Sequence, residues 1–347
     1  MSDFSNCPRG MRVAVIGLGR MGVRHLQAAA NLRMTICGVS DISETARTSA
    51  CRSHNLPPSA CFDDALEMLQ AARPDAVVVA TTADSHASLV IAAAECGARY
   101  VLCEKPMATC LAEAETMTEA CRRAGTLLAI NHQMQFMPHY MRIKSLIGSD
   151  ELGPLVSVLV AGSNFGLAMN GSHYFEMLRF VGESPVRSVR AWFEKDRLSN
   201  PRGRQFEDSS GRLLAQTSGD VSMYVDFSAR AGHGLQLVFI CRLGQIVVDE
   251  LSGEIRIVAR KSEFREMPTA RYGMPSEVRF EHVDPTDTVS PTMNVWSALV
   301  GGRPFPDSMI GTHALACCVA AHVSNERGGE EVFVNSSLPH SRTFKWA

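Results

Sequence analysis

From Met11 to about Asn131, short apolar runs alternate with stretches whose apolar positions recur at helical spacing. The runs MRVAVI, MTICGVS, DAVVVATT, RYVLCE and TLLAIN predict strands. Helices are predicted from Arg20, from Ser43, over Asp63 to Ala71, over Ser85 to Cys96 and over Ala112 to Ala124. Strands such as AVVVA are apolar on every residue, which suits burial on both faces, so the alternation predicts a parallel sheet sandwiched between helices. A connecting helix near Pro138 to Ile147 follows, and the texture then changes. PLVSVLVAG, VRSVRAWFEK, GDVSMYVDFSA, GLQLVFICRL, GQIVVDEL and GEIRIVARK read as strands without intervening helices. Turn signals at Arg230 to Gly234, Leu243-Gly244 and Ser252-Gly253 separate the last four, predicting an open, mainly antiparallel sheet. One helix from about Gly171 to Phe180 interrupts this half, and two more are expected near Val289 to Val300 and Thr312 to Asn325. The fold class is therefore α/β, with a first domain over 1–131 and a second, α+β, over 132–347. Leu198 to Gly219, rich in Ser, Gly and Arg, is expected to be an irregular loop at an active site or subunit contact. The residues before Met11 are expected to fray.

Chemistry enters at the end of the first strand. VAVIGLGRMG carries glycines spaced G-x-G-x-x-G between a strand and a helix. Gly17 permits the sharp turn, Gly19 removes a side chain that would block a pyrophosphate, and Gly22 allows helix and strand to pack closely. Phosphates would sit on the N–H groups of the helix's first turn, beside Arg20 and Met21. Asp41 ends the second strand, where its carboxylate would accept hydrogen bonds from the adenosine ribose. It would also repel a 2′-phosphate, so NAD is favoured. NADP stays open because Arg47 could meet that phosphate, and Asp41 could equally cap the helix that begins near Ser43.

Composition narrows the class further. Hydrophobic residues make up 46% and charged residues 20% of 347 positions, enough for a core in each domain. A net charge of -2 shows none of the basic excess left by nucleic acid or anionic membrane binding, and neither partner is expected. No apolar run is long enough to span a bilayer, and the start lacks a signal peptide's apolar core, so a cytoplasmic protein is expected. The 11 cysteines show no zinc spacing, and no metal is expected. They read as reduced, buried small hydrophobes.

Glu104-Lys105-Pro106 follows the fifth strand, at the end of the sheet where open α/β folds bind ligands. Together with GLGRMG and ATTADSHASLVIAAAECGARYVLCEKPMA, it makes the chain resemble the glucose-fructose oxidoreductase, inositol dehydrogenase and MocA family from Met11 to about Gly182. The resemblance implies a Rossmann domain and a sugar, cyclitol or sugar-nucleotide substrate. Lys105 would face the substrate hydroxyl beside the nicotinamide, and Pro106 would shape the turn, often after a cis peptide. An ammonium there can hold a hydroxyl and stabilise the alkoxide, and a depressed pKa would let it relay protons. Thr81, Thr82 and His86 would pass under the cofactor riboses with Glu104 nearby, although His86 could instead cap or pack its own helix.

In NGSHYFEMLRFVG the resemblance makes His173 the proton acceptor, with Glu176 on the same helix face to orient it or touch a sugar hydroxyl. Asn131, Gln135, Pro138, Asn164, Asn170 and Tyr174 would approach or line the cleft, and Arg202 and Arg204 could clamp an anion. The chain departs from the family where an aspartate is common four residues before the histidine, because Met169 stands there. The expected activity is reversible oxidation of a secondary alcohol with NAD. Two alternatives remain open: a sensor that binds NAD and sugar without turnover, and a glycosidase that recycles its NAD. Apolar positions on both faces of strands such as VSMYVDF predict a homo-oligomer, a dimer or tetramer formed through the second sheet.

Overall fold

A computed structural model describes residues 10–347 apart from 196–198, 233, 269–273 and 286. The N-terminal tail up to residue 9, Leu198 and one position of the turn at Arg230 to Gly234 lie outside the described residues. The first sheet is built from β1 (Arg12–Ile16), β2 (Thr35–Ser40), β3 (Cys61–Phe62), β4 (Ala76–Val79), β5 (Tyr100–Cys103) and β6 (Leu127–Ile130). Its order is β3-β2-β1-β4-β5-β6 with every pairing parallel. Helices α1 (Arg20–Asn31), α2 (Glu44–Ser53), α3 (Ala65–Ala72), α4 (Ala83–Glu95) and α5 (Leu111–Ala124) connect the strands. All four residues of β4 are buried, as a central strand covered on both faces must be. The strand order reverses between β1 and β4, and the crevice at their C-terminal ends is where such a sheet takes its ligand.

After α6 (Pro138–Leu146) the chain enters a second sheet of nine strands. These are β7 (Leu155–Gly162), β8 (Val186–Phe193), β9 (Gly211–Thr217), β10 (Ser222–Asp226), β11 (Leu235–Cys241), β12 (Gly244–Asp249), β13 (Glu254–Arg260), β14 (Ser276–His282) and β15 (Val332–Phe333). Helix α7 (Ser172–Gly182) lies between β7 and β8, while α8 (Val289–Val300) and α9 (Ser308–Glu326) precede β15. The sheet order is β14-β13-β12-β11-β7-β10-β9-β8-β15. Alternate residues of β7 are buried, so one face packs on helices and the other is open. Helix α8 returns to the first domain, where Val295, Trp296 and Leu299 join the core of Val13, Val15 and Leu102. Burying a side chain of Leu or Val size contributes about 1.5–3 kcal/mol, so this return anchors the later part of the chain on the first domain's core.

The structure corrects several expectations. The stretch from Leu198 to Gly219 is not irregular throughout, because Gly211–Thr217 is a strand with Gly211, Leu213, Ala215 and Thr217 buried in alternation. Arg212, Gln216 and the flanking serines masked that period. Strands β10 and β11 are not a hairpin: β7 lies between them and pairs parallel with β10, because the chain returns to the first strand of the sheet. Strand β14 is an edge strand with charged, mostly exposed residues, so hydrophobic patterning gave no signal for it. Cys51 and Cys61 are joined as a disulfide, and Cys96 is exposed, against the expectation of uniformly reduced and buried cysteines. The end of α2 runs beside β3, a proximity that sequence spacing does not reveal. Cys103, Cys110, Cys121, Cys241, Cys317 and Cys318 are buried as expected.

Candidate active site

The turn after β1 is fixed by backbone contacts. Gly17 has φ +87°, and a Cβ there would lie 2.7 Å from the Ala80 carbonyl carbon. A Cβ on Gly22 would lie 1.9 Å from the Gly17 carbonyl oxygen, so helix and turn meet at a distance only glycine allows. Gly19 is different: nothing lies within 4 Å of where its Cβ would stand, and no side chain caps the N-terminus of α1. That combination leaves room and free N–H groups for a pyrophosphate, so the residues present fit a dinucleotide. Asp41 binds the turn with one oxygen, accepting from Leu18 N at 2.6 Å, and accepts from Ser43 N with the other at 2.8 Å. Ser43 itself caps α2, accepting from Ala46 N. Arg47 donates to the Asp41 backbone carbonyl at 2.7 Å.

Lys105 and Pro106, joined by a cis peptide, follow β5. Beneath them Glu104 is 5% exposed, and its Oε1 meets His25 Nε2 at 2.8 Å and accepts from Asn131 Nδ2 at 2.7 Å. Burial alone would raise the Glu104 pKa, but His25, Lys105 and Asn131 outweigh it and hold the carboxyl at about 2. Burial is the largest influence on Lys105 and, with Arg202 and Arg20, lowers its pKa to about 8 against the opposing pull of Glu104 and Asp208. The ammonium donates to the Met169 carbonyl. His86, fully enclosed, sets Nδ1 3.0 Å from the Pro106 carbonyl oxygen and Nε2 3.3 Å from that of Thr81, so its one N–H in the neutral ring donates to one of the two loops. Thr81 and Thr82 are half-buried at the start of α4.

The opposite wall comes from the second domain. A π-helical turn, Leu167–Gly171, runs into α7. Asp208, from the loop before β9, accepts from Ala168 N and Met169 N, both at 2.8 Å. A carboxylate thus reaches the turn where Met169 brings none of its own, and it lies within electrostatic range of Lys105. His173 is enclosed, with its ring edge-on to His132 at 5.3 Å between centroids. Burial and the Lys105 ammonium push the His173 pKa well below its ordinary value, and push that of His132 to about 3, so both rings are neutral at pH 7. Lys105, His173, Arg20, Met21, Asn170, Tyr174, Arg202 and Glu250 line one cleft of 240 Å³.

This cleft stands at the strand ends of a sheet whose sequence has a match among known families. Residues 11–132 match the family described as "Oxidoreductase family, NAD-binding Rossmann fold". Over these residues the chain matches the NAD-binding Rossmann domain of the Gfo/Idh/MocA oxidoreductase family. Its first domain is the NAD-binding part. Myo-inositol 2-dehydrogenase of Thermotoga maritima is 29% identical over 200 residues, which are 52% of this chain and 58% of that one. D-apiose dehydrogenase of Paraburkholderia graminis is 32% identical over 141 residues, 40% of this chain and 37% of that one. The chain thus aligns with about half of these relatives' lengths. An oxidoreductase from Agrobacterium radiobacter, solved with NAD+, L-tartaric acid and magnesium, shares the fold with a TM-score of 0.78 at 18% identity over 94% of this chain and 99% of that one.

Of the residues expected at the site, the structure sets Lys105, Asn170, His173 and Tyr174 around one cleft with Arg20 and Met21 of the glycine turn, and binds Asp41 to that turn at Leu18 N. Glu176 does not orient His173: it is buried, absent from the cleft lining, and bound by Arg179 at 2.6 and 2.7 Å. Asn131 is fully buried on Glu104 and does not reach substrate space. His86 does not lie among the cleft-lining residues, its two ring nitrogens facing backbone carbonyls. Asn164 lines a neighbouring pocket with Asp208 and Asn170. Asn170 Nδ2 donates to the Phe165 carbonyl at 2.9 Å. Arg202 joins the cleft while Arg204 is exposed. His25, His132, Asp208 and Glu250 were missed. No motif marks them, and only the hydrophobic burial of the surrounding chain brings them to the site.

Proposed function

We propose that this protein is an NAD-dependent dehydrogenase of a secondary alcohol on a sugar or cyclitol, as the names of its relatives also suggest. The carrying observation is Lys105, held at about 8 at the mouth of the glycine turn and facing His173 across one cleft. Bound NAD supplies the two-electron acceptor. Lys105 holds the reacting oxygen and, because its pKa lies near neutrality, exchanges that oxygen's proton. His173, neutral at pH 7, hydrogen-bonds the same hydroxyl and fixes its direction. Arg20 and Arg202 stand on the cofactor side and favour the diphosphate's charge.

The test is NADH absorbance with a panel of cyclitols and aldoses. Wild type should reduce NAD with at least one of them, and Lys105→Met should lower kcat by about 10²–10⁴ with NAD affinity kept. Equal turnover by the variant would sink this assignment.

The same reading includes a homo-oligomer. Strand register places Leu214, Tyr224, Leu159 and Val238 in one row across the open sheet face, with Tyr224 50% and Leu159 39% exposed. A second copy covering that row removes it from water. Light scattering should give a dimer or tetramer that Tyr224→Glu dissociates; a monomeric wild type would reject it.

A further inference from the structure

Glu250, directly after β12, is a carboxylate in the cleft that the chemistry above does not use. Tyr140 and Tyr174 both donate their hydroxyls to its Oε2, at 2.9 and 3.2 Å. Oε1 receives no hydrogen bond from the described residues, and no cation pairs with the group among them. A partly enclosed carboxylate without a counter-ion is costly unless donors complete its shell. Burial accordingly raises its pKa, and only the two phenols oppose this. The cations of the cleft, Lys105, Arg20 and Arg202, interact electrostatically with one another and with Glu104. The cleft is therefore polarised, with acceptor chemistry on the Glu250 wall.

Resting on the reading of this cleft as the substrate site, we infer that Glu250 is a specificity-determining residue that accepts hydrogen bonds from substrate hydroxyls remote from the reacting carbon. Two tyrosines hold its Oε2 and thereby aim Oε1 at the ligand. A neutral polyol supplies the missing donors. A sugar acid that brings a carboxylate to the same wall supplies none and adds like-charge repulsion.

The experiment is calorimetric binding to the NAD-loaded protein at pH 7.5, using myo-inositol, D-glucose, D-xylose, D-glucuronate and D-xylonate. Wild type should bind at least one neutral polyol, with its acidic counterpart weaker by at least about tenfold. Glu250→Gln, which keeps shape and removes charge, should narrow that gap at least about fivefold while NAD affinity stays unchanged. Glu250→Asp should keep the preference for neutral ligands, and serves if the Gln variant fails to fold. The inference is overturned if wild type binds no neutral member, binds the acids equally well, or keeps its full preference without the charge. A polyol that binds with the expected preference but is never oxidised refutes the dehydrogenase reading and leaves the role of Glu250 standing.

Discussion

Replacing Glu104 by Gln isolates the charge beneath Lys105, because Gln keeps the shape and an oxygen for His25 and Asn131. A carboxyl held at about 2 instead of the ordinary 4.5 favours the folded, ionised state by about 3 kcal/mol. The folded pKa lies below the unfolded one, so this stability is fully present above about pH 4.5 and is lost as pH falls towards about 2. Urea unfolding at pH 7 should therefore show Glu104→Gln less stable by about 3 kcal/mol, with the gap closing when the comparison is made below about pH 3. The second consequence is kinetic. Glu104 raises the Lys105 pKa, so its removal lowers that pKa further. Alcohol oxidation, which requires Lys105 able to take a proton, should rise through about pH 8 in wild type and about one pH unit lower in the variant. Equal stability at pH 7, or a rising limb that stays in place or moves upward, would refute the account of this network.

Gly22→Ala sets a Cβ 1.9 Å from the Gly17 oxygen, so it should cost about 1–3 kcal/mol and weaken NAD binding more than tenfold, as read by thermal unfolding and fluorescence titration. Asp208→Ala leaves the N–H groups of Ala168 and Met169 without their acceptor, at about 1–3 kcal/mol each. It should also lower the pH at which Lys105 loses its proton, and Asp208→Asn, which keeps an acceptor, should recover the stability more than the pH profile. Glu176→Gln should lower the unfolding midpoint while leaving kcat within about twofold, since a group bound to Arg179 away from the cleft contributes packing and charge balance only. A kcat loss above tenfold would return Glu176 to the chemistry.

The first domain was legible because its determinants are local. A parallel strand buried on both faces must be apolar along its length, and a pyrophosphate turn must carry glycine where a Cβ would strike backbone, as at Gly17 and Gly22, or occupy the phosphates' space, as at Gly19, so β4 and these three glycines declare themselves in sequence. That Lys105 and His173 would lie on one cleft was legible through the motif and the resemblance. Tertiary structure decided the rest. Strand β9 was hidden because its burial alternates beneath polar neighbours, and β7 separates β10 from β11 because pairing between distant segments leaves no mark on their spacing. The carboxylates followed the same rule. Glu176 shares a helix with His173, yet packing gives it to Arg179, while Asp208 and Glu250 arrive from remote loops to bring carboxylates to the turn and to the cleft. Chain propensity and close-packed turns set what the sequence fixes locally. Which buried charge meets which partner depends on desolvation and on contacts across the whole fold, and those exist only once the two sheets have packed together.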